Sequence, residues 1–260
     1  MLAKLFKHEL IDLFRKTIIF FSVVIGLSVI IFFLSKLTEV HIIFGFVNGL
    51  FLLGYFLAVF GIILYSIFYP VTRYYKSMLK DEGYLTHTLP VTKGQLLFAK
   101  LVSAFLLFLV SVVIFAISFS ILASMVIPYE DFKILIESLL AGVNDNIFLA
   151  VLLTLIYLII YYFGTIMMFI TALTVGHSAS SKKGLNSFLV GLAIYGIQQV
   201  LGFIAIILIF VLEGNFIEAI ESGTFNPLLI PLASMIMYGI LATVEIIVTG
   251  YFLKNKLNIE

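Results

Sequence analysis

Glu245 is the one charged side chain inside the six long apolar stretches of this 260-residue sequence. A carboxylate in hydrocarbon is costly, so it must face protein or water. Two roles fit it. One is a substrate, proton or gating contact; the other is a structural group bonded to Ser, Thr or Tyr of a neighbouring helix. Gln198 and Gln199 lie centrally in the fifth stretch, and Asn48 lies in the outer third of the second. Amides in such places join helices or line a polar path. Two adjacent glutamines cannot share a helix face, so one is expected to line an interior and the other to pack.

The rest of the inventory excludes most catalytic chemistry. There is no cysteine, which removes disulfides, thiol nucleophiles and cysteine metal sites. No Gly-x-x-x-x-Gly-Lys-Ser/Thr run is present, so the chain has no P-loop of its own. It also lacks a His-Glu-x-x-His helix and a Gly-x-Ser-x-Gly elbow. The four histidines, His8, His41, His87 and His177, fall in different segments and make a poor set of metal ligands. The chain is therefore expected to be no enzyme and to bind no cofactor or metal.

Composition says what must position these groups. Apolar residues make up 63% of the chain and charged residues 11%, against about 45–50% and about 25% in an average soluble domain. A soluble fold of this size could not cover itself with so few polar groups, and a disordered chain would be far more polar. An integral membrane protein is expected. Residues 17–34, 42–68, 101–127, 147–175, 188–212 and 228–253 are each long enough, or nearly so, to cross a bilayer as a helix. The alternating ten-residue segments of a barrel are absent. The fold class is thus an all-α membrane protein with six transmembrane helices. The first stretch lacks the flanks of a cleaved signal and is expected to stay in place.

Basic residues set the orientation. Lys4, Lys7, Arg15 and Lys16 precede the first stretch. Arg73, Lys76, Lys80, Lys93 and Lys100 follow the second, Lys182 and Lys183 follow the fourth, and Lys254 and Lys256 follow the sixth. The alternate side holds Lys36 and Lys133. Because positive residues stay inside, both termini are expected to be cytoplasmic. Glu39, Glu130, Asp131, Glu137, Asp145, Glu213, Glu218 and Glu221 then fall outside. With no Trp in the chain, Tyr69, Tyr74, Tyr75 and Tyr251 are the expected interfacial aromatics. The net charge of +1 predicts no nucleic-acid partner.

The connecting segments add detail. Residues 1–16 place Leu2, Leu5, Phe6, Leu10, Leu13 and Phe14 at three- and four-residue spacing, opposite a basic face. That pattern predicts an amphipathic interfacial helix on an anionic leaflet, ahead of a six-helix domain at 17–260. Residues 69–100 form the longest loop on the basic side. Residues 71–80 have helix-forming character, Asp81-Glu82-Gly83 is expected to stop the helix, and Leu89-Pro90 to prevent its return. Thr92-Lys93-Gly94-Gln95 has the form of a capping box that restarts it. Residues 176–187 are expected to be a polar turn or a small second contact helix. Residues 131–140 suggest an amphipathic helix, and residues 213–227 an interfacial or re-entrant turn. Gly45-x-x-x-Gly49 and the row Ala116, Ser120, Ser124 would permit close helix approach or dimerisation.

The stretch from Lys80 to Lys100 contains Asp81-Glu82-Gly83-Tyr84-Leu85, then Leu89-Pro90-Val91, Gln95-Leu96-Leu97 and Lys100. In these elements, and loosely in its six-helix plan with an N-terminal amphipathic helix, the chain resembles the permease subunits of type-2 ABC exporters of the small Gram-positive bacterial kind. The resemblance implies a plasma-membrane protein that pairs with a second permease chain, the same or different. A separate cytoplasmic P-loop ATPase, carrying ATP and Mg, would dock on loop 69–100. It places the ATPase-coupling element at about 73–84, with Arg73, Lys76, Lys80, Asp81, Glu82, Gly83 and Tyr84. It places Asn48, Gln198 and Gln199 beside the translocation pathway. Glu245 joins them on its burial cost alone. The expected function is then ATP-driven export of a hydrophobic or amphipathic substrate, such as a peptide. The alternatives are a non-transporting membrane scaffold, immunity or sensor protein, and an ion-coupled carrier using Glu245. A carrier would be favoured by an inverted repeat, and none is evident.

Overall fold

The structure is a computed structural model. It describes residues 2–38, 41–80, 82–88, 90–126, 133, 145–212 and 229–256. Asp81, the helix expected at 131–140 and the turn expected at 213–227 lie outside the described residues. Among the described residues seven α-helices follow one another: α1 (Leu2–Leu37), α2 (Ile42–Tyr74), α3 (Gly83–His87), α4 (Lys93–Val126), α5 (Asp145–His177), α6 (Lys183–Leu212) and α7 (Leu229–Asn255). A π-helical turn, Tyr75–Leu79, continues directly from α2. No strand occurs among the described residues. Among the described residues six helices are long and apolar enough to cross a membrane: Leu5–Leu37, Ile42–Leu79, Lys93–Ser124, Leu152–His177, Lys183–Ile209 and Ile230–Asn255.

Residues 2–16 and the first span run on as one helix of 36 residues, Leu2–Leu37, about 54 Å long at 1.5 Å per residue. No Gly or Pro interrupts its first 24 residues. At the expected junction the Thr17 hydroxyl donates to the Leu13 carbonyl of its own helix at 2.7 Å, so the polar residue there is satisfied within the helix. The second span likewise outruns its apolar core. It passes through Pro70 to Tyr74, although proline withholds one backbone donor.

The described chain forms two compact units. Met1–Pro70 with Gln95–Ala141 makes the first, and Val71–Gly94 with Gly142–Glu260 the second. In the first, α1 contributes Leu13, Phe21, Val24 and Ile31 to a core completed by Tyr55 and Ile62 of α2 and Leu107 of α4. Tyr55 Oη and Ser118 Oγ share a buried hydrogen bond of 2.9 Å across that core. Lys100 Nζ lies 2.5 Å from Glu9 Oε1, with the side chains only 6% and 11% exposed.

In the second unit α5 packs against both α6 and α7. Tyr161 of α5 meets Tyr238 of α7 edge-on, with ring centroids 5.1 Å apart. The α5–α6 hairpin closes through residues 178–182, a turn and not a second contact helix. Lys182 enters the left-handed region at φ 50°, a conformation with a steric cost for a side-chain-bearing residue. Gly176 is required for the hairpin to close, because a Cβ there would lie 2.3 Å from Ser187 Cα.

Candidate functional site

The residues after the second span are built onto the second unit. Tyr74 is buried at the last turn of α2, and its hydroxyl shares a 2.6 Å hydrogen bond with Thr174 of α5. Ser77 and Met78 of the π turn are also buried. Tyr75 packs its ring edge-on against His177 at the end of α5, centroids 5.2 Å apart. His177 Nδ1 in turn lies 3.1 Å from Ser187 Oγ of α6. π-Helical turns cost regular hydrogen-bond geometry and concentrate at functional sites. Here the wider turn lets Tyr74, Ser77 and Met78 all bury along one side.

The helical run ends at Lys80, whose backbone is extended at φ −121° and ψ −152°. The helix expected over 71–80 therefore stops where the Asp81-Glu82-Gly83 run begins. Gly83 instead opens α3 and is buried, with its N–H donating to the Lys80 carbonyl at 2.7 Å. Arg73 Nη1 donates to Glu82 Oε2 at 3.0 Å, tying the end of α2 to the start of α3. Lys76 and Lys80 are exposed, and Tyr84 of α3 is 70% exposed. So the seven residues singled out at 73–84 divide. Gly83 is packed inside, Arg73 and Glu82 brace each other, Lys76, Lys80 and Tyr84 face outward, and Asp81 lies outside the described residues. The restart of helix at Lys93 follows the Thr92 to Gln95 pattern. Lys93 Nζ then donates to the Leu253 carbonyl in the last turns of α7, where a cation suits the negative end of the helix dipole.

The intramembrane polar residues also divide. Gln198 is 7% exposed and Gln199 is exposed, as their adjacency on one helix requires. Gln198 Nε2 donates to Glu245 Oε1 at 3.2 Å. Glu245 is 5% exposed, and its Oε2 is buried with no protein partner among the described residues. Thr171 Oγ1 lies 3.3 Å from the Glu245 backbone carbonyl and 2.8 Å from Thr249 Oγ1. A polar cluster therefore joins α5, α6 and α7 at one level. Asn48 belongs to the first unit, where its Oδ1 is buried with no partner among the described residues. A Cβ at Gly45 or Gly49 would meet nothing within 4 Å, so among the described residues this pair brings no helix close. Ser120 and Ser124 spend their hydroxyls on carbonyls of their own helix.

Sequence reasoning missed Tyr74, Thr171, Thr174 and Thr249 as partners. A signal for them existed. Thr171 and Thr174 are polar residues three apart in an otherwise apolar run, and Thr249 lies one turn past Glu245. It missed the Glu9–Lys100 pair as well. No metal-ligating group of three or more His, Cys, Asp or Glu side chains occurs among the described residues. The chain matches no family model, no curated relative and no solved structure.

Proposed function

We propose that this multi-pass membrane protein is the permease subunit of an ATP-driven exporter in the plasma membrane, with both termini cytoplasmic. A separate P-loop ATPase, carrying ATP and Mg, docks on the segment 69–100. A second permease chain, the same or different, completes the pathway for a hydrophobic or amphipathic substrate. The observation that carries this reading is the form of residues 71–88. Their base is buried against α5, while Lys76, Lys80 and Tyr84 project outward from it. A rigidly mounted polar platform is what a transporter without its own P-loop needs for an external engine. The basic residues of the alternate loops, and the resemblance across Lys80 to Lys100, support the same reading.

The decisive experiment is co-purification from native membranes in mild detergent, with mass spectrometry of every partner. The reading predicts a stoichiometric P-loop ATPase that is lost when Glu82→Lys and Tyr84→Ala are combined. A clean complex without an ATPase overturns it. The second reading, an ion-coupled carrier, is favoured by one observation, the buried and half-satisfied carboxylate of Glu245. It predicts substrate movement that follows an imposed ion or pH gradient without ATP and is abolished in Glu245→Gln.

A further inference from the structure

We infer that α5 is the relay between the platform and the buried carboxylate, with Thr174 and Thr171 as its two contact points. The platform is not hydrogen-bonded to the Glu245 cluster directly. Its anchor, Tyr74, reaches Thr174 at 2.6 Å. One turn earlier on α5, Thr171 reaches the Glu245 carbonyl at 3.3 Å and Thr249 Oγ1 at 2.8 Å. Glu245 then reaches Gln198 of α6 at 3.2 Å. Thr171, Thr174 and Thr249 are all fully or nearly fully buried, at 2%, 0% and 0% exposure.

Three features make this a relay and not a set of unrelated bonds. Residues three apart on a helix lie on the same side of it, so Thr171 and Thr174 present one polar stripe. The helix between them is a rigid element, so a displacement of its end moves both. Each hydroxyl is buried in apolar surroundings, where losing its partner costs more than at a surface. Thr174 also donates to the Ile170 carbonyl at 2.7 Å. With its proton on that carbonyl, the Thr174 oxygen can accept from the Tyr74 O–H. Lys93, bonded to the Leu253 carbonyl, supplies a second tie from the same segment to α7.

The inference rests on the docking reading only for the origin of the push. The relay itself is a property of the chain alone and is tested on the chain alone. Spatial sequence does not prove coupling, but coupling must be reciprocal, which sets the experiment. Amide hydrogen exchange is measured on the purified full chain in lipid nanodiscs. Thr171→Val removes the α7 contact and is read at residues 71–79. Tyr74→Phe removes the platform contact and is read at residues 245–249, with Thr174→Val as a second variant that deletes the same bond. Each is expected to speed exchange at the far end about three- to tenfold, the size of one lost buried hydrogen bond. Thr171→Ser keeps the hydroxyl and should exchange as the wild type. Tyr55→Phe breaks a buried bond of the first unit and should be silent at both sites. Effects confined to the mutated end in all three disruptive variants overturn the relay. Because no ATPase or substrate enters the assay, that failure would leave the docking reading standing. Loss of the docking reading by co-purification would equally leave the relay intact.

Discussion

Removing Lys100 should destabilise the first unit far more than any surface charge could. Its ammonium lies 2.5 Å from Glu9 Oε1, with both side chains almost wholly out of contact with solvent. At an effective dielectric of about 20 that separation corresponds to about 7 kcal/mol of gross attraction. Desolvating two ions costs several kcal/mol each, so the intact pair contributes little net stability over an apolar replacement. Breaking it is another matter. Lys100→Met leaves the Glu9 carboxylate buried and without this cation, and should cost about 3–5 kcal/mol. Glu9→Leu leaves the Lys100 ammonium buried without this anion and should cost a similar amount. The double variant removes both charges, and should lie within about 1.5 kcal/mol of the wild type.

The assay is reversible unfolding in mixed micelles titrated with a denaturing detergent, run on all four proteins as a double-mutant cycle. The coupling energy should be at least about 2 kcal/mol. It should change little between low and moderate salt, because a buried pair is screened far less than an exposed one. An additive double variant, or single variants costing under about 1 kcal/mol, would refute the reasoning. Either result would mean that the two charges do not depend on each other in the folded protein.

Gly176→Ala should prevent the α5–α6 hairpin from closing, since the added Cβ would lie 2.3 Å from Ser187 backbone atoms. A cost of about 3 kcal/mol or loss of folded protein is expected, whereas Gly184→Ala, with nothing within 4 Å, should be neutral or stabilising by about 0.5–1 kcal/mol; the same unfolding titration decides both. Tyr55→Phe and Ser118→Ala each remove the same buried hydrogen bond and should each cost about 1–2 kcal/mol, with the double variant less than additive. The chain has no cysteine, so single cysteines report topology without background. A cysteine replacing exposed Lys254 should react with a membrane-impermeant maleimide only after cells are permeabilised, and one replacing exposed His41 should react in intact cells.

The spans were readable because apolar runs of bilayer length have no other stable use. Their true extent was not. Nothing in the hydropathy of residues 42–68 says that the helix continues past Pro70 to Tyr74 and then widens into a π turn. The opposed exposures of Gln198 and Gln199 were readable, because helical periodicity alone separates adjacent residues. The cost of burying Glu245 was readable too, and it pointed to a polar partner. The partner's identity was not. Gln198 lies 47 residues away, and Thr171 74 residues away. A hydroxyl in an apolar helix gives no hint of which distant helix it will meet. Glu9 and Lys100 were hidden for the same reason, each resembling an ordinary interfacial charge on an amphipathic face.

The segment 71–94 shows why chain order misleads here. It connects α2 to α4, whose longer parts belong to the first unit, yet it belongs to the second. Its ties explain this. Tyr74 bonds Thr174, Tyr75 lies against His177, and Lys93 bonds the Leu253 carbonyl. All three partners sit at the ends of α5 and α7. The α5–α6 hairpin prepares that surface, because Gly176 lets Ser187 close in and Ser187 Oγ lies 3.1 Å from His177 Nδ1. His177 is thereby held where Tyr75 packs against it. The Glu245 cluster spans α5, α6 and α7, so Lys76, Lys80 and Tyr84 belong to the same compact unit as the polar cluster.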